Sequence, residues 1–114
     1  MKISKLKNLI ISIFQNHNLS KSHSLICANA LVNAELVGAP SHGASRIVSY
    51  CNRIKKKVIN PKPKIKIKKI SQSVAHINAD DSIGFVAADI AIKKAIKNGK
   101  ETGIGLVAVK NSGH

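Results

Sequence analysis

Lys64-Ile65-Lys66-Ile67-Lys68 alternates charge and aliphatic side chain at every step. A period of two sends alternate residues to opposite faces of an extended chain, so this stretch predicts a half-buried β-strand. After a short Ser71–Ser73 connection, Val74, His76 and Asn78 alternate with Ala75, Ile77 and Ala79, which predicts a second strand paired with the first as a hairpin. Ahead of Lys64 the apolar spacing is three and four. That switch of period makes the fold class α+β, with an α/β-like second half.

Upstream, Leu6, Ile10, Ile13 and Phe14 recur at helical spacing behind Ser4, predicting a helix over 4–17 with Ser4 as its cap. Ser20 and Ser22 offer a second cap. Leu25, Ala28, Leu31, Val32, Glu35 and Leu36 then form a broad stripe on a helix over 21–37, stopped by Gly38 and Pro40. Ser41-His42-Gly43 opens a third helix with Ile47, Tyr50, Cys51 and Ile54 on one face, and Asn60-Pro61-Lys62-Pro63 breaks it. Downstream of the hairpin, Asp81 or Ser82 is expected to cap a fourth helix carrying Ile83, Ala87, Ile90, Ala91, Ala95 and Ile96 and ending at Gly99. Ile104–Val109 reads as a buried strand between Gly103 and Asn111. The expected order is a three-helix segment over 1–60, then a hairpin, a helix and a buried strand over 61–114. A core strand normally has a covering element, so a chain that stops at His114 reads as cut short.

The 114 residues suit a single domain, and 3% aromatic content means an aliphatic core. The net charge of +14 admits a small basic nucleic-acid-binding module. Composition offers a plainer cause. Lys, Ile and Asn, all with A/T-rich codons, make up 44 of the 114 residues, and base-stacking aromatics are nearly absent. Nucleic acid is therefore not the expected partner. The eight lysines of Lys55–Lys69 read as a solvated edge that resists strand pairing. Cys27 and Cys51 lack metal-ligand spacing and are expected to be buried thiols. No metal site is expected. No signal-peptide h-region and no run long enough to cross a bilayer occur, which points to the cytoplasm.

Ser41-His42-Gly43-Ala44-Ser45-Arg46 is the stretch richest in chemistry. A helix start here would present unpaired N–H groups to an anion. Gly43 would let a ligand approach the backbone, the planar fork of Arg46 matches a carboxylate, and His42 can exchange a proton near neutral pH. Together these suit a small acid with a reducible carbonyl or an oxidisable hydroxyl. Capping by Ser41, a turn role for His42 and a solvated Arg46 account for the same residues, and both readings stay open. His114, in Asn111-Ser112-Gly113-His114, follows the last strand, where ligand groups gather in α/β sheets. The glycines from Gly99 to Gly105 lack the GxGxxG order of a Rossmann turn.

AELVGAPSHGASRIVSYCNRI (Ala34–Ile54), VINPKPKIKI (Val58–Ile67), AHINADDSIGFVAADIAIKKAI (Ala75–Ile96) and ETGIGLVAVKNSGH (Glu101–His114) stand in an order that resembles the N-terminal third of the type-2 malate/L-lactate dehydrogenase family. The family also takes in ureidoglycolate, sulfolactate and 2,3-diketogulonate oxidoreductases. The resemblance implies a truncated, non-Rossmann, NAD(P)-dependent dehydrogenase fold, with residues 61–114 as the incomplete start of the cofactor-binding domain. It implies hydride transfer between NAD or NADP and a small 2-hydroxy or 2-oxo acid, and a homo-oligomer at full length. By position, His42 is implied to be the general acid/base, supported by Ser41, with Arg46 holding the substrate carboxylate. His114 is implied to be a second active-site histidine at the cofactor loop, and Gly43 to lie against the cofactor. The sequence departs from the family pattern at Pro40, where Asp usually precedes Ser-His-Gly, and at Lys57, where Gly usually precedes Ile-Asn-Pro. On this resemblance the 114-residue chain is expected to be inactive alone. A non-catalytic interaction subunit is the other role it allows.

Overall fold

The structure, a computed structural model, describes residues 1–113. The chain divides into two compact units, Met1–Lys62 and Pro63–His114.

The first unit contains α1 (Ile3–Asn16), α2 (Lys21–Leu36), two 3-10 turns (Pro40–His42 and Ala44–Arg46) and α3 (Ile47–Lys55). Its core is mostly aliphatic, as the composition demands. Ile10, Phe14, Leu19, Ala28, Leu31, Val32, Tyr50, Ile54 and Ile59 are buried. Ser20 caps α2 by accepting the His23 N–H at 3.1 Å. Ser4 caps nothing: α1 begins two residues after Met1, with Lys2 at the cap position and no side-chain bond there. The expected third helix starts later than Ser41. Residues 40–46 form the two tight turns, and the α-helix begins only at Ile47.

All three helices end in the same way. The residue beyond the C-cap is left-handed in each case: Asn18 (φ 73°), Gly38 (φ 79°) and Lys57 (φ 61°). The paired bonds of a Schellman motif accompany it. Leu19 N–H reaches the Phe14 carbonyl at 3.1 Å, Ala39 reaches Ala34 at 2.9 Å and Val58 reaches Arg53 at 2.9 Å. Asn tolerates this conformation and Gly adopts it freely, whereas Lys brings a Cβ into collision with the neighbouring carbonyl. Lys57→Gly should therefore stabilise the chain by about 1 kcal/mol in denaturant unfolding. Lys57→Ala, which keeps the Cβ, should give no such gain. An equal gain from both variants would put the cost elsewhere.

Cys27 and Cys51 are both free and buried. Burial pushes the Cys27 thiol up from an ordinary value of 9.0 to about 12, against a smaller opposing effect from a backbone hydrogen bond. The unfolded thiol ionises near pH 9 while the folded one keeps its proton, so the native state binds the extra proton between those values. Stability from this group is complete below about pH 9 and lost as pH rises towards 12, by at most about 1.4 kcal/mol per pH unit. Urea unfolding of the wild type against Cys27→Ala should show the two stabilities converging across that window and parallel below pH 8.

The second unit contains β1 (Lys66–Lys69), β2 (Val74–Ser82), α4 (Gly84–Thr102) and β3 (Leu106–Ser112), with sheet order β1-β2-β3. β1 and β2 form the expected antiparallel hairpin, with Lys66 opposite Asn78 and Lys69 opposite Ala75. No glycine closes it. The Ser71 hydroxyl accepts the N–H groups of Ser73 and Val74 at 3.3 and 3.1 Å. β2 runs through α4 into β3, which returns parallel to β2 with Val74 opposite Leu106. This crossover is the α/β-like part of the fold. Ala75, Ile77 and Ala79 of β2 and Val86 and Ala87 of α4 are buried. Gly105 lets the chain entering β3 lie against α4, because a Cβ there would collide with the Ala95 carbonyl.

Several expectations for this unit need correction. α4 runs through Gly99 to Thr102, and Gly103, left-handed at φ 91°, ends it. Neither Asp81 nor Ser82 caps it. Ser82 is the last residue of β2, buried with its hydroxyl unpartnered, and Ile83 occupies the cap position without a side-chain bond. Asp80 and Asp81 are left-handed residues in an irregularity between Asn78 and Ser82. The Asp80 carboxylate accepts the Lys64 N–H at 2.8 Å, tying the approach to β1 onto β2. β1 is exposed along its whole length, because α4 packs on β2 and β3 and leaves the apolar side of β1 uncovered. β3 is a strand, as expected, but it is an edge strand and mostly exposed. Among the described residues no helix is long and apolar enough to cross a membrane.

Candidate active site

Pro40 has no N–H to give and a φ already suited to a turn, so it stands at the start of the first 3-10 turn. Its carbonyl accepts the Gly43 N–H at 3.1 Å and the Ser45 hydroxyl at 2.9 Å. The second turn closes when Arg46 N–H donates to the Gly43 carbonyl at 3.0 Å. His42 ends the first turn and Arg46 ends the second. The loop is thus held by its own backbone, with the side chains of both residues left to other work.

His42 is exposed, and its Nδ1 lies 3.0 Å from the Ser41 hydroxyl. When Nδ1 donates to that oxygen, neutral imidazole keeps its lone pair on Nε2. Protonation at Nε2 makes both nitrogens donors and leaves the Ser41 bond intact. The arrangement therefore permits a proton to come and go at Nε2 without rebuilding the turn. Arg46 is half-buried, and its guanidinium has no hydrogen bond or ion pair among the described residues. Ser41 and His42 are directly joined. Arg46 stands on the next turn, bonded to neither.

Glu35, read from the sequence as part of the apolar stripe of α2, plays a part that the reading missed. Its Oε1 accepts the Ala44 N–H at 2.9 Å. A Cβ on Gly43 would collide with that carboxylate, so the glycine is needed for the approach of Glu35 and its backbone is not open to a ligand. This corrects two expectations. The Ala44 N–H is already satisfied by an acid and is not free for an outside anion. The legible signal was a carboxylate within an otherwise apolar stripe, which calls for a polar partner. Gly43→Ala should expel Glu35 and cost about 1–2 kcal/mol, the usual worth of a lost cap. Glu35→Ala should cost a similar amount, and the double variant should cost no more than either alone. Fully additive losses in the unfolding cycle would contradict the contact. His114 lies outside the described residues.

A sequence profile described as malate/L-lactate dehydrogenase matches residues 1–114. The chain belongs to the malate/L-lactate dehydrogenase family. It is 39% identical over 108 residues to the L-sulfolactate dehydrogenase of Methanocaldococcus jannaschii, covering 95% of this chain and 31% of that protein. It is 34% identical over 116 residues to the ureidoglycolate dehydrogenase (NAD(+)) of Escherichia coli K12, covering 100% of this chain and 33% of that protein. Among solved structures, malate dehydrogenase from Pyrococcus horikoshii OT3 superposes with a TM-score of 0.96 at 33% identity, over 100% of this chain and 33% of that one. The chain thus spans about a third of the length of these family members, and its α+β fold is that of the third it matches.

Proposed function

We propose that this chain supplies the acid-recognising and proton-transferring part of an NAD(P)-dependent oxidoreductase acting on small 2-hydroxy and 2-oxo acids. The observation that carries this is the loop itself: an imidazole fixed at Nδ1 by Ser41, followed one turn later by an unpaired guanidinium. Such a donor set fits the acid end of a hydride-transfer site. Arg46 would grip the substrate carboxylate through two parallel N–H bonds. His42 Nε2 would donate a proton to the oxygen at C2 as that carbon is reduced, and take it back in oxidation. Holding the acid by its carboxylate removes most of the orientational freedom from the reacting carbon.

NAD or NADP, when bound, supplies the hydride or takes it up. Of the residues here, His42 would face the nicotinamide end, and His114 is assigned to the same site by the resemblance. Gly43 stands in the same loop, with Glu35 filling the space beside it. Sulfolactate and malate dehydrogenases among the relatives support an acid substrate, and a ureidoglycolate dehydrogenase (NAD(+)) supports a nicotinamide cofactor.

The test is a chimera in which residues 1–113 replace the matched third of the Methanocaldococcus jannaschii L-sulfolactate dehydrogenase. The 2-oxo acids corresponding to sulfolactate and malate should be reduced with oxidation of NADH or NADPH. A folded chimera with no turnover on either acid would contradict the proposal.

A further inference from the structure

We propose that the cavity between the hairpin turn and the last turns of α4 binds the phosphate group of a small hydroxylated phosphate monoester. The cavity measures about 480 Å³, and every residue lining it is polar. Three lysines reach it from two elements: Lys69 at the end of β1, and Lys94 and Lys97 on α4. Lys69 stands opposite Ala75, on the face of the sheet that α4 covers, so a strand lysine and two helix lysines share one space. Glu101 is the single carboxylate on the wall. None of these four side chains has an ion pair among the described residues. Three ammonium groups less one carboxylate leave a local charge of +2, and a phosphate monoester carries about −1.5 to −2 at pH 7.

Two neutral groups add hydrogen-bond donors. Asn98 lines the cavity and is only 5% exposed, yet its side-chain amide has no hydrogen bond among the described residues. A buried amide calls for a partner, and the protein supplies none. The Ser71 hydroxyl accepts the N–H groups of Ser73 and Val74, which occupies its lone pairs and leaves its proton to donate. Lysines near the end of a helix are favoured by its dipole alone. The dipole accounts neither for Lys69, which comes from a strand, nor for the orphaned amide of Asn98.

The ligand class follows from the donors. No arginine lines the cavity, so the planar fork that suits a carboxylate is absent, whereas separate ammonium groups suit the spread oxygens of a phosphate. The five heavy atoms of a phosphate, at roughly 30 Å³ for each water-sized atom, fill about a third of the space. The remaining wall is polar and includes Glu101, whose carboxylate can accept from the hydroxyls of a carrier. The cavity lies where β2 and β3 begin, and Ser112, at the far end of the seven-residue β3, is about 20 Å away along the strand. None of Ser41, His42 and Arg46 enters the argument, so the proposal stands apart from the hydride-transfer reading.

The experiment titrates the 114-residue chain with glycerol 3-phosphate by calorimetry, at about 0.15 M ionic strength so that diffuse attraction to a basic surface is screened. Saturable one-to-one binding is expected. Lys94→Gln with Lys97→Gln should weaken it at least tenfold, as the loss of charged hydrogen-bond donors implies. Asn98→Ala should weaken it at least threefold. Lys66→Gln with Lys68→Gln removes the same net charge from β1 residues outside the cavity, and should leave affinity within twofold. Inorganic phosphate should bind at the same site at least threefold more weakly than the monoester, and malate should not compete. The proposal is overturned if binding does not saturate, if the two lysine pairs weaken it equally, or if Asn98→Ala binds as wild type does. It is also overturned if inorganic phosphate binds as tightly as the monoester, or if malate displaces it.

Discussion

His42→Asn, placed in the chimera, should lower kcat for 2-oxo acid reduction by about 10²–10⁴-fold and change KM only a few-fold. The asymmetry follows from the geometry. Asparagine can keep a hydrogen bond to Ser41, so the turn survives, but it cannot deliver a proton at the position of Nε2. On the proposed function the proton moves only as the alkoxide develops, so its loss should be felt in the transition state and hardly in the bound ground state. Ser41→Ala should have a milder effect, since it removes only the bond that fixes the ring at Nδ1. If His42→Asn raised KM and spared kcat, His42 would be a binding residue and not the proton carrier.

Arg46→Gln should reduce kcat/KM by about 10²–10³-fold, in the range for stripping one partner from a hydrogen-bonded charge pair. Most of the loss should appear in KM. Arg46→Lys should recover only part of it, because an ammonium offers a point charge where a carboxylate wants two parallel donors. Substrates lacking the carboxylate should be equally poor with wild type and Arg46→Gln. No bond to another residue has to be broken for Arg46 to act, since its guanidinium has no partner among the described residues. Full activity in Arg46→Gln would move carboxylate recognition elsewhere.

Much of the architecture was legible because it rests on local periodicity and stop signals. Ser20, Gly38 and Pro40 each do at the ends of α2 what residues of their type do in general. The β2–α4–β3 crossover could be read from alternation giving way to a helical stripe and then to an aliphatic run. Burial was misjudged for β1 and β3, because an aliphatic run shows that a strand wants cover and not that the cover lies within these residues. Lys57 holds a left-handed conformation that its side chain disfavours, so the end of α3 was not visible from residue preference alone. In the loop, the chemistry of Ser41, His42 and Arg46 singles them out in the sequence, and the structure joins Ser41 to His42. The Glu35 contact was not legible, because it spans nine positions and joins a helix to a turn whose shape depends on both.

The most direct test is a crystal structure of the chimera with oxamate, an unreactive 2-oxo acid analogue, and NADH. The oxamate carboxylate should lie on the Arg46 guanidinium as a two-bond fork, with its carbonyl oxygen within about 3.2 Å of His42 Nε2. An oxamate carboxylate bound away from Arg46, or a His42 ring whose Nε2 faces solvent while the analogue is bound, would contradict it.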